Sequence, residues 1–319
     1  MLQFHLLNPF FNALGGSELG ALEIYRGIAG RCEAALWSER VPDSRFGDLP
    51  IRRIDAGKGD CPHGGTLLIH GNFFQPGAWL EASRPDRLIL GYNTVVRPEL
   101  KYRMIERLRR MGGCEIVYAS RLVRDWVGLP GEVLPSRIDV QRFRPAPRQA
   151  ADRFVIGRLS RDEPDKHHAK DPGLYLQLSA QGMQVRIMGG TCLAPAIGAV
   201  NEIELLGAGA EPAPEFLHSL DCFFYRTSTQ WTEAGGRVVA EAMASGLPVV
   251  CHRLGGYAEW IDHGRNGYLF DSDDQALQIL ELLRRDPELR GHVGEAARAS
   301  MEDLYSERAA QAYFDFFLR

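Results

Sequence analysis

The apolar positions of this chain fall in short runs, with helically spaced segments between them. In the first half, "LQFHLL" (2–7), "TLLIHG" (66–71), "RLILGY" (87–92) and "CEIVYAS" (114–120) have the length and apolar density of strands. Helices are expected at 17–29, after "GGS", and at 99–111. A second series begins at 153 with "RFVIGRLS", followed by "VRIMGG", "NEIELLGA", "DCFFYRT", "LPVVCHR" and "GYLFD". Helices fit between these strands at 171–181, 213–219 and 236–245. This alternation predicts βα units and two doubly wound α/β domains of similar size. Between the two series, "GLPGEVLPSRIDVQRFRPAPRQAADR" is rich in Pro and Arg and has no period, as an interdomain connection does. The expected division is 1–147, 148–302 and a terminal amphipathic helix in 303–319.

Composition narrows this picture. A length of 319 residues exceeds one typical core, and 45% apolar with 24% charged residues describes an ordinary globular protein. The start "MLQFHLLNPFFNALGGSE" lacks the basic lead and small-residue cleavage site of a signal peptide. No apolar run approaches the roughly 20 residues needed to span a bilayer. Six cysteines stand without C-x-x-C pairs, which argues against zinc sites or a disulfide framework and for free thiols in a reducing cytosol. A cytoplasmic location is expected.

The charge is unevenly spread. Residues 1–150 hold 21 basic against 16 acidic residues, a balance of +5, whereas 151–319 hold 16 against 25, a balance of −9. The first half is therefore expected to face something anionic. Nucleic acid is not the expected partner, because zinc-finger spacing, RNP aromatics and a long basic tail are all missing. The basic residues of 97–111 (Lys101, Arg103, Arg107, Arg109, Arg110) fit either an ordinary surface helix or peripheral contact with anionic lipid on the inner face of a membrane.

The candidate chemistry concentrates in "TEAGGRVVAEAMASGLPVV" (232–250). Thr232 is placed to cap a helix, the glycines let backbone approach a ligand, and "SG" at 245–246 closes the helix. The N–H groups of Gly235, Gly236 and Arg237 would suit a diphosphate. Glu233 and Glu241 would then accept hydrogen bonds from hydroxyls, which sugars and riboses supply. Arg158 ends a strand, where open α/β sheets bind ligands and a guanidinium grips phosphate in bidentate fashion. His70 also ends a strand, and a structural role is its default.

In order and in content these pieces resemble the retaining GT-B glycosyltransferases of group 1 (family 4). "EAGGRVVAEAMASGLPVV" is similar to that family's E-x7-E helix, and "LGGYAEWIDHGRNGYLF" to its Gly-Gly-x-x-Glu and Gly-x-Asn-Gly runs. "NALGGSELGALEIYRGIA" resembles its first Gly-rich loop and helix, and "IGRLSRDEPDKHHAK" its Gly-Arg-Leu…Lys segment with extra residues between the cations. "PSRIDVQRFRP" departs from the usual Pro-Asn-Gly-Val-Asp, since Ser136 and Arg137 replace Asn-Gly.

The resemblance implies two Rossmann-like domains facing across a cleft, with the acceptor on the first and a nucleotide-sugar on the second. It gives Gly15 and Gly16 a donor-phosphate contact, and Arg158 with Lys166 (or Lys170) the leaving diphosphate. Glu233 would take donor-sugar hydroxyls and Glu241 the ribose. His70, Tyr92 and Asn93 are the candidates on the acceptor side. The reaction implied is transfer of a sugar from a UDP or GDP type donor to the hydroxyl of a glycan or lipid-linked saccharide, in cell-envelope or polysaccharide synthesis. Retention of configuration is implied, with no metal and no cofactor. A non-catalytic GT-B accessory protein, a nucleotide-sugar epimerase and a phosphorylase stay open as alternatives. A nicotinamide dehydrogenase is more distant, since G-x-G-x-x-G is missing.

Overall fold

The structure is a computed structural model. It describes residues 2–71, 74, 75, 77–95, 102, 105, 106, 113–146 and 153–319. The basic face expected on 97–111 and the connection at 147–152 lie outside the described residues, apart from 102, 105 and 106. The chain forms two compact units, Met1–Arg137 together with Glu307–Arg319, and Ile138–Ser306.

The first unit carries β1 (Gln3–Leu7), α1 (Gly16–Ile28), β2 (Glu33–Ser38), β3 (Ile51–Arg53) and β4 (Thr66–His70). It continues with α2 (Ala78–Ser83), β5 (Arg87–Tyr92), β6 (Glu115–Tyr118), α3 (Arg121–Val127) and β7 (Glu132–Val133). Its strands line up as β3-β2-β1-β4-β5-β6-β7, all parallel. All five residues of β4 are buried, which is why that strand reads as a continuous apolar run. Strand β2 and the edge strands β3 and β7 were not anticipated, because short half-exposed segments show neither a run nor a period.

The second unit carries β8 (Val155–Leu159), α4 (Asp171–Ala180), β9 (Gln184–Met188), α5 (Ala194–Ile197), β10 (Ile203–Leu206) and α6 (Ala213–His218). It continues with β11 (Cys222–Tyr225), α7 (Arg237–Ala244), β12 (Val249–His252), β13 (Tyr268–Phe270), α8 (Asp273–Arg285) and α9 (Pro287–Leu304). The order is β10-β9-β8-β11-β12-β13, again parallel throughout. Two apolar layers cover the sheet: Phe223, Tyr225, Val249 and Cys251 face one, and Cys222, Phe224 and Val250 face the other. Ile138 and Phe143 belong to the first of these layers, so this unit begins ahead of the 147/148 boundary expected from composition.

The last helix, α10 (Glu307–Phe317), returns to the first unit. Its Tyr313, Phe316 and Phe317 share a core with Phe4, Ile24 and Ile28. Arg87 donates to the carbonyl of Phe316 at 2.7 Å, which satisfies a helix-end acceptor. Each sheet reverses its winding once, between β1 and β4 and between β8 and β11. Such reversals open a crevice at the carboxyl ends of the strands, and the chemistry of each unit is sought there.

Candidate functional site

In the second unit the loops leaving β8 and β11 lie side by side. Arg158 stands near the end of β8 and is fully buried. Its two terminal nitrogens donate to the carbonyls of Arg226 and Lys166, each at 2.6 Å, and so tie the two loops together. The same group lies 3.5 Å from the Asp171 carboxylate and 4.6 Å over the Tyr225 ring. Asp171 in turn takes a hydrogen bond from the Arg226 guanidinium and another from the N–H of His168. The Arg158 side chain has no exposed surface, and its two terminal nitrogens serve backbone oxygens, which fastens Lys166 through its carbonyl.

Lys166 ends a short 3-10 turn, Pro164–Lys166, and its ammonium reaches the Glu233 carboxylate at 2.9 Å. It also stands 4.3 Å over the ring of Trp231. Lys170 is largely exposed and pairs with Asp273 instead, at 3.7 Å. Of the two lysines, Lys166 is therefore the one brought to the glutamate.

Glu233 also accepts from the Tyr225 hydroxyl at 3.1 Å, and its own carbonyl accepts from the N–H of Gly256 at 2.9 Å. Burial works to raise the Glu233 carboxyl, but the charge and hydrogen bond of Lys166, with the Tyr225 hydroxyl, outweigh it and hold the group below its usual range. Burial and then the Glu233 charge push the Tyr225 phenol well above its ordinary value, so it stays a donor.

Glu233 lies ahead of the helix rather than on it. α7 starts at Arg237, with Gly236 as its N-cap, so the cap expected at Thr232 is not made there. Gly236 has φ +77°, and a Cβ on it would sit 2.5 Å from Cδ1 of Tyr257. The tight approach seats Tyr257 edge-on to Tyr225, with ring centroids 5.7 Å apart, directly behind the hydroxyl that holds Glu233. "GGYAE" therefore supports the first glutamate through Tyr257 and Gly256. At the other end, Gly246 at φ +73° closes α7 as the sequence predicts, donating to Met243 O.

Glu241 is buried inside α7 and pairs with Arg237 at 2.8 Å. The Arg237 side chain is thus engaged on its own helix. Asn266 of "GRNGY" is also buried and fastens its turn, accepting from Asp262 N–H at 2.7 Å and donating to the carbonyl of Trp260 at 3.0 Å. Trp231, Tyr225 and Asp171 had not been singled out in the sequence. The aromatic beside Thr232 was a readable signal for Trp231, whereas the partners of Arg158 emerge only once strand order is known.

In the first unit, Asn8, Ser17, His70 and Asn93 form one polar group at the reversal between β1 and β4. The Asn8 amide donates to Ser17 at 3.0 Å and to the His70 carbonyl at 2.8 Å, and Asn93 donates to Ser17 at 3.0 Å. Gly15 caps α1 and Gly16 is its first residue; a Cβ on Gly15 would run into the Glu18 carboxylate. His70 is buried, its Nε2 has no partner, and burial lowers the imidazole to about 4, so it is neutral. Tyr92 is fully buried against Tyr118, with centroids 6.1 Å apart, and is a core residue rather than a surface contact.

Residues 177–300 match the model of the family described as glycosyl transferases group 1. Over that segment the chain is similar to this family. The segment contains Glu233, Glu241, Trp231 and the support around Tyr257. Over 88 residues the chain is 41% identical to the N-acetyl-alpha-D-glucosaminyl L-malate synthase of Bacillus anthracis, covering 25% of this chain and 22% of that protein. Over 294 residues it is 27% identical to the D-inositol 3-phosphate glycosyltransferase of Pseudarthrobacter chlorophenolicus, covering 78% and 70%. The matched stretch spans about a fifth of the length of the first of these relatives. Among solved structures, HepE of Anabaena in complex with UDP superposes with a TM-score of 0.78 at 16% identity, covering 99% of this chain and 98% of that one. WaaG, a glycosyltransferase involved in lipopolysaccharide biosynthesis, gives 0.70 at 15% identity, covering 98% and 99%. These likenesses establish the fold: two parallel-sheet Rossmann-like units of the GT-B kind. Among the described residues, no helix is long and apolar enough to cross a membrane.

Proposed function

We propose that this chain is a group 1 glycosyltransferase that moves a sugar from a nucleoside diphosphate donor to an acceptor hydroxyl. The observation that carries the reading is the Lys166–Glu233 pair at the sheet reversal, whose glutamate lies within the segment that matches the group 1 family. A departing diphosphate gathers negative charge, and a fixed ammonium on a loop stabilises it where it develops. Glu233, released from that ammonium, accepts hydrogen bonds from donor-sugar hydroxyls, and Glu241 takes the ribose. UDP is the first donor nucleotide to try, because HepE, which shares the fold, was solved with UDP and with UDP-glucose. Retention of configuration, independence of metal and a glycan or lipid-linked acceptor complete the proposal.

The test is calorimetric titration with UDP, GDP and ADP, without metal and then with magnesium. It is followed by product analysis with the sugar form of whichever nucleotide binds. Binding that persists in EDTA, with a new glycoside of the donor's own configuration, supports the proposal. Donor epimerised or cleaved by phosphate would replace it with another GT-B chemistry, and no binding at millimolar nucleotide would leave the accessory-protein alternative.

A further inference from the structure

Glu241 sits in the last turn of α7, and that turn is held from outside the helix. The carbonyls that close a helix have no partner within it. Ser245 serves the Glu241 carbonyl twice, with its N–H at 3.0 Å and its hydroxyl at 2.9 Å. The Ala244 carbonyl is served from α9, by Arg298 at 2.8 Å. A guanidinium at that end also suits the helix dipole. The same terminal nitrogen of Arg298 reaches the carbonyls of Val140 at 2.8 Å and Phe143 at 3.0 Å. The side chain is only 13% exposed, and its Nε donates to Glu302 at 2.7 Å.

Glycines let these segments close on one another. A Cβ on Gly294, one turn before Arg298 on α9, would stand 2.3 Å from the Gly246 carbonyl, and a Cβ on Gly246 would stand 3.1 Å from Pro145. Val140 and Phe143 belong to the stretch by which the chain enters the second unit, at Ile138. α9 ends at Leu304, just ahead of the exit at Ser306. Entry, exit and the helix of Glu241 therefore meet around one guanidinium. α7 has eight residues and no side-chain bond at its N-cap, and helices of that length do not hold their shape alone. Apolar packing of Val239, Ala240 and Met243 is non-directional, whereas the Arg298 hydrogen bond fixes where the last turn stops.

We infer that Arg298 is a positioning residue of the donor site, acting through the Ala244 carbonyl on Glu241 and joining that turn to the entry segment at 140–143. This rests on the reading of Glu241 as the ribose contact. Coupling between two places is reciprocal. A nucleotide held at Glu241 steadies the entry segment, and loss of Arg298 weakens recognition of the ribose.

The test is titration of the full chain with UDP and with a dideoxy form of UDP that lacks both ribose hydroxyls. The wild type is expected to prefer UDP by about 10- to 100-fold, the range for hydrogen bonds to a charged group. Arg298→Met should lose most of that preference and leave the dideoxy form nearly unchanged. Arg298→Lys should keep part of it, and Glu302→Gln all of it. Amide hydrogen exchange reads the other end: UDP should slow exchange at 140–143 in the wild type and not in Arg298→Met. A generally loosened fold weakens both nucleotides alike and leaves their ratio as it was. An unchanged ratio in Arg298→Met therefore overturns the inference while the donor reading stands. Equal binding of the two forms by the wild type removes the ribose role of Glu241 and this inference with it. A wild type that binds neither UDP nor GDP removes the donor reading as a whole.

Discussion

Arg158→Met separates a buried strut from a ligand contact. Methionine roughly fills the aliphatic volume but removes the guanidinium, leaving the carbonyls of Arg226 and Lys166 without the donors that now reach them at 2.6 Å. Each buried acceptor stranded in this way costs about 1–3 kcal/mol. Asp171 also loses one of its cations, though Arg226 still holds it. Taken together this is the range for breaking a buried ion pair, about 3–5 kcal/mol. For a unit the size of Ile138–Ser306, each kcal/mol moves the melting temperature by about 2–4 °C, so the expected fall is about 6–20 °C. Differential scanning calorimetry reads it, and on the function proposed above the transition of the second unit is the one that UDP is expected to raise. A variant that melts within about 2 °C of the wild type but no longer binds UDP would refute the reasoning, since Arg158 would then act on the ligand and not on the loops.

Lys166→Met should lower turnover by about 100- to 1000-fold, the scale for removing one stabiliser of developing charge, and steady-state rates with the accepted donor check it. It should also change the acid limb of stability. The Glu233 carboxyl is held below its usual range, so it stabilises the fold above that range and the contribution is lost as pH falls through it. Without Lys166 that loss should disappear from pH-dependent urea unfolding. His70 carries the opposite kind of shift. An imidazole held near 4 stays neutral while the unfolded chain takes up a proton below its ordinary 6.5, so stability falls by about 3 kcal/mol between those values. His70→Gln should flatten the melting temperature of the first unit over that window, and an unchanged slope would count against it. Gly236→Ala forces a Cβ against Tyr257 at a backbone φ of +77°, and should cost about 1–3 kcal/mol and weaken donor binding through the Tyr257–Tyr225–Glu233 contacts. Calorimetric melting and UDP titration of the same variant would show both effects or neither.

Central strands such as β4 and β11 were legible because burial on both faces gives them an uninterrupted apolar middle, Leu67–Ile69 in β4 and Cys222–Phe224 in β11. The edges β3 and β7, of three and two residues, exist because neighbouring strands pair with them, which leaves no local pattern to read. The closing turn of α7 was legible because glycine chemistry is local, and its start, expected at 236, lies at Arg237; only the capping residue was misassigned. Thr232 is a good capping residue, yet the helix begins only where Gly236 supplies the left-handed turn. Arg158 and Arg161 mark the limit of spacing as a guide. Both are arginines in one short stretch, and their difference in burial follows from strand direction and the depth of the loop, neither of which is written in the residue order.

The two glutamates illustrate the same point at the site itself. Eight residues apart, they look like a pair, but the structure gives them separate neighbourhoods. Glu233 sits on a loop against Lys166 and Tyr225, while Glu241 lies within the helix against Arg237. Each carboxylate already has a cation, so neither stands ready to share a proton with the other, as a catalytic acid–nucleophile pair must. The arrangement instead fits recognition of hydroxyls at two places along one elongated ligand. On the function proposed above, an incoming diphosphate would compete with Glu233 for Lys166, and the carboxylate set loose would then need new donors. A sugar carried on the same ligand would supply them. On the proposed donor reading, binding of the diphosphate and recognition of the sugar would be coupled through one ion pair, which would account for both charges being kept largely buried on adjoining loops rather than placed apart.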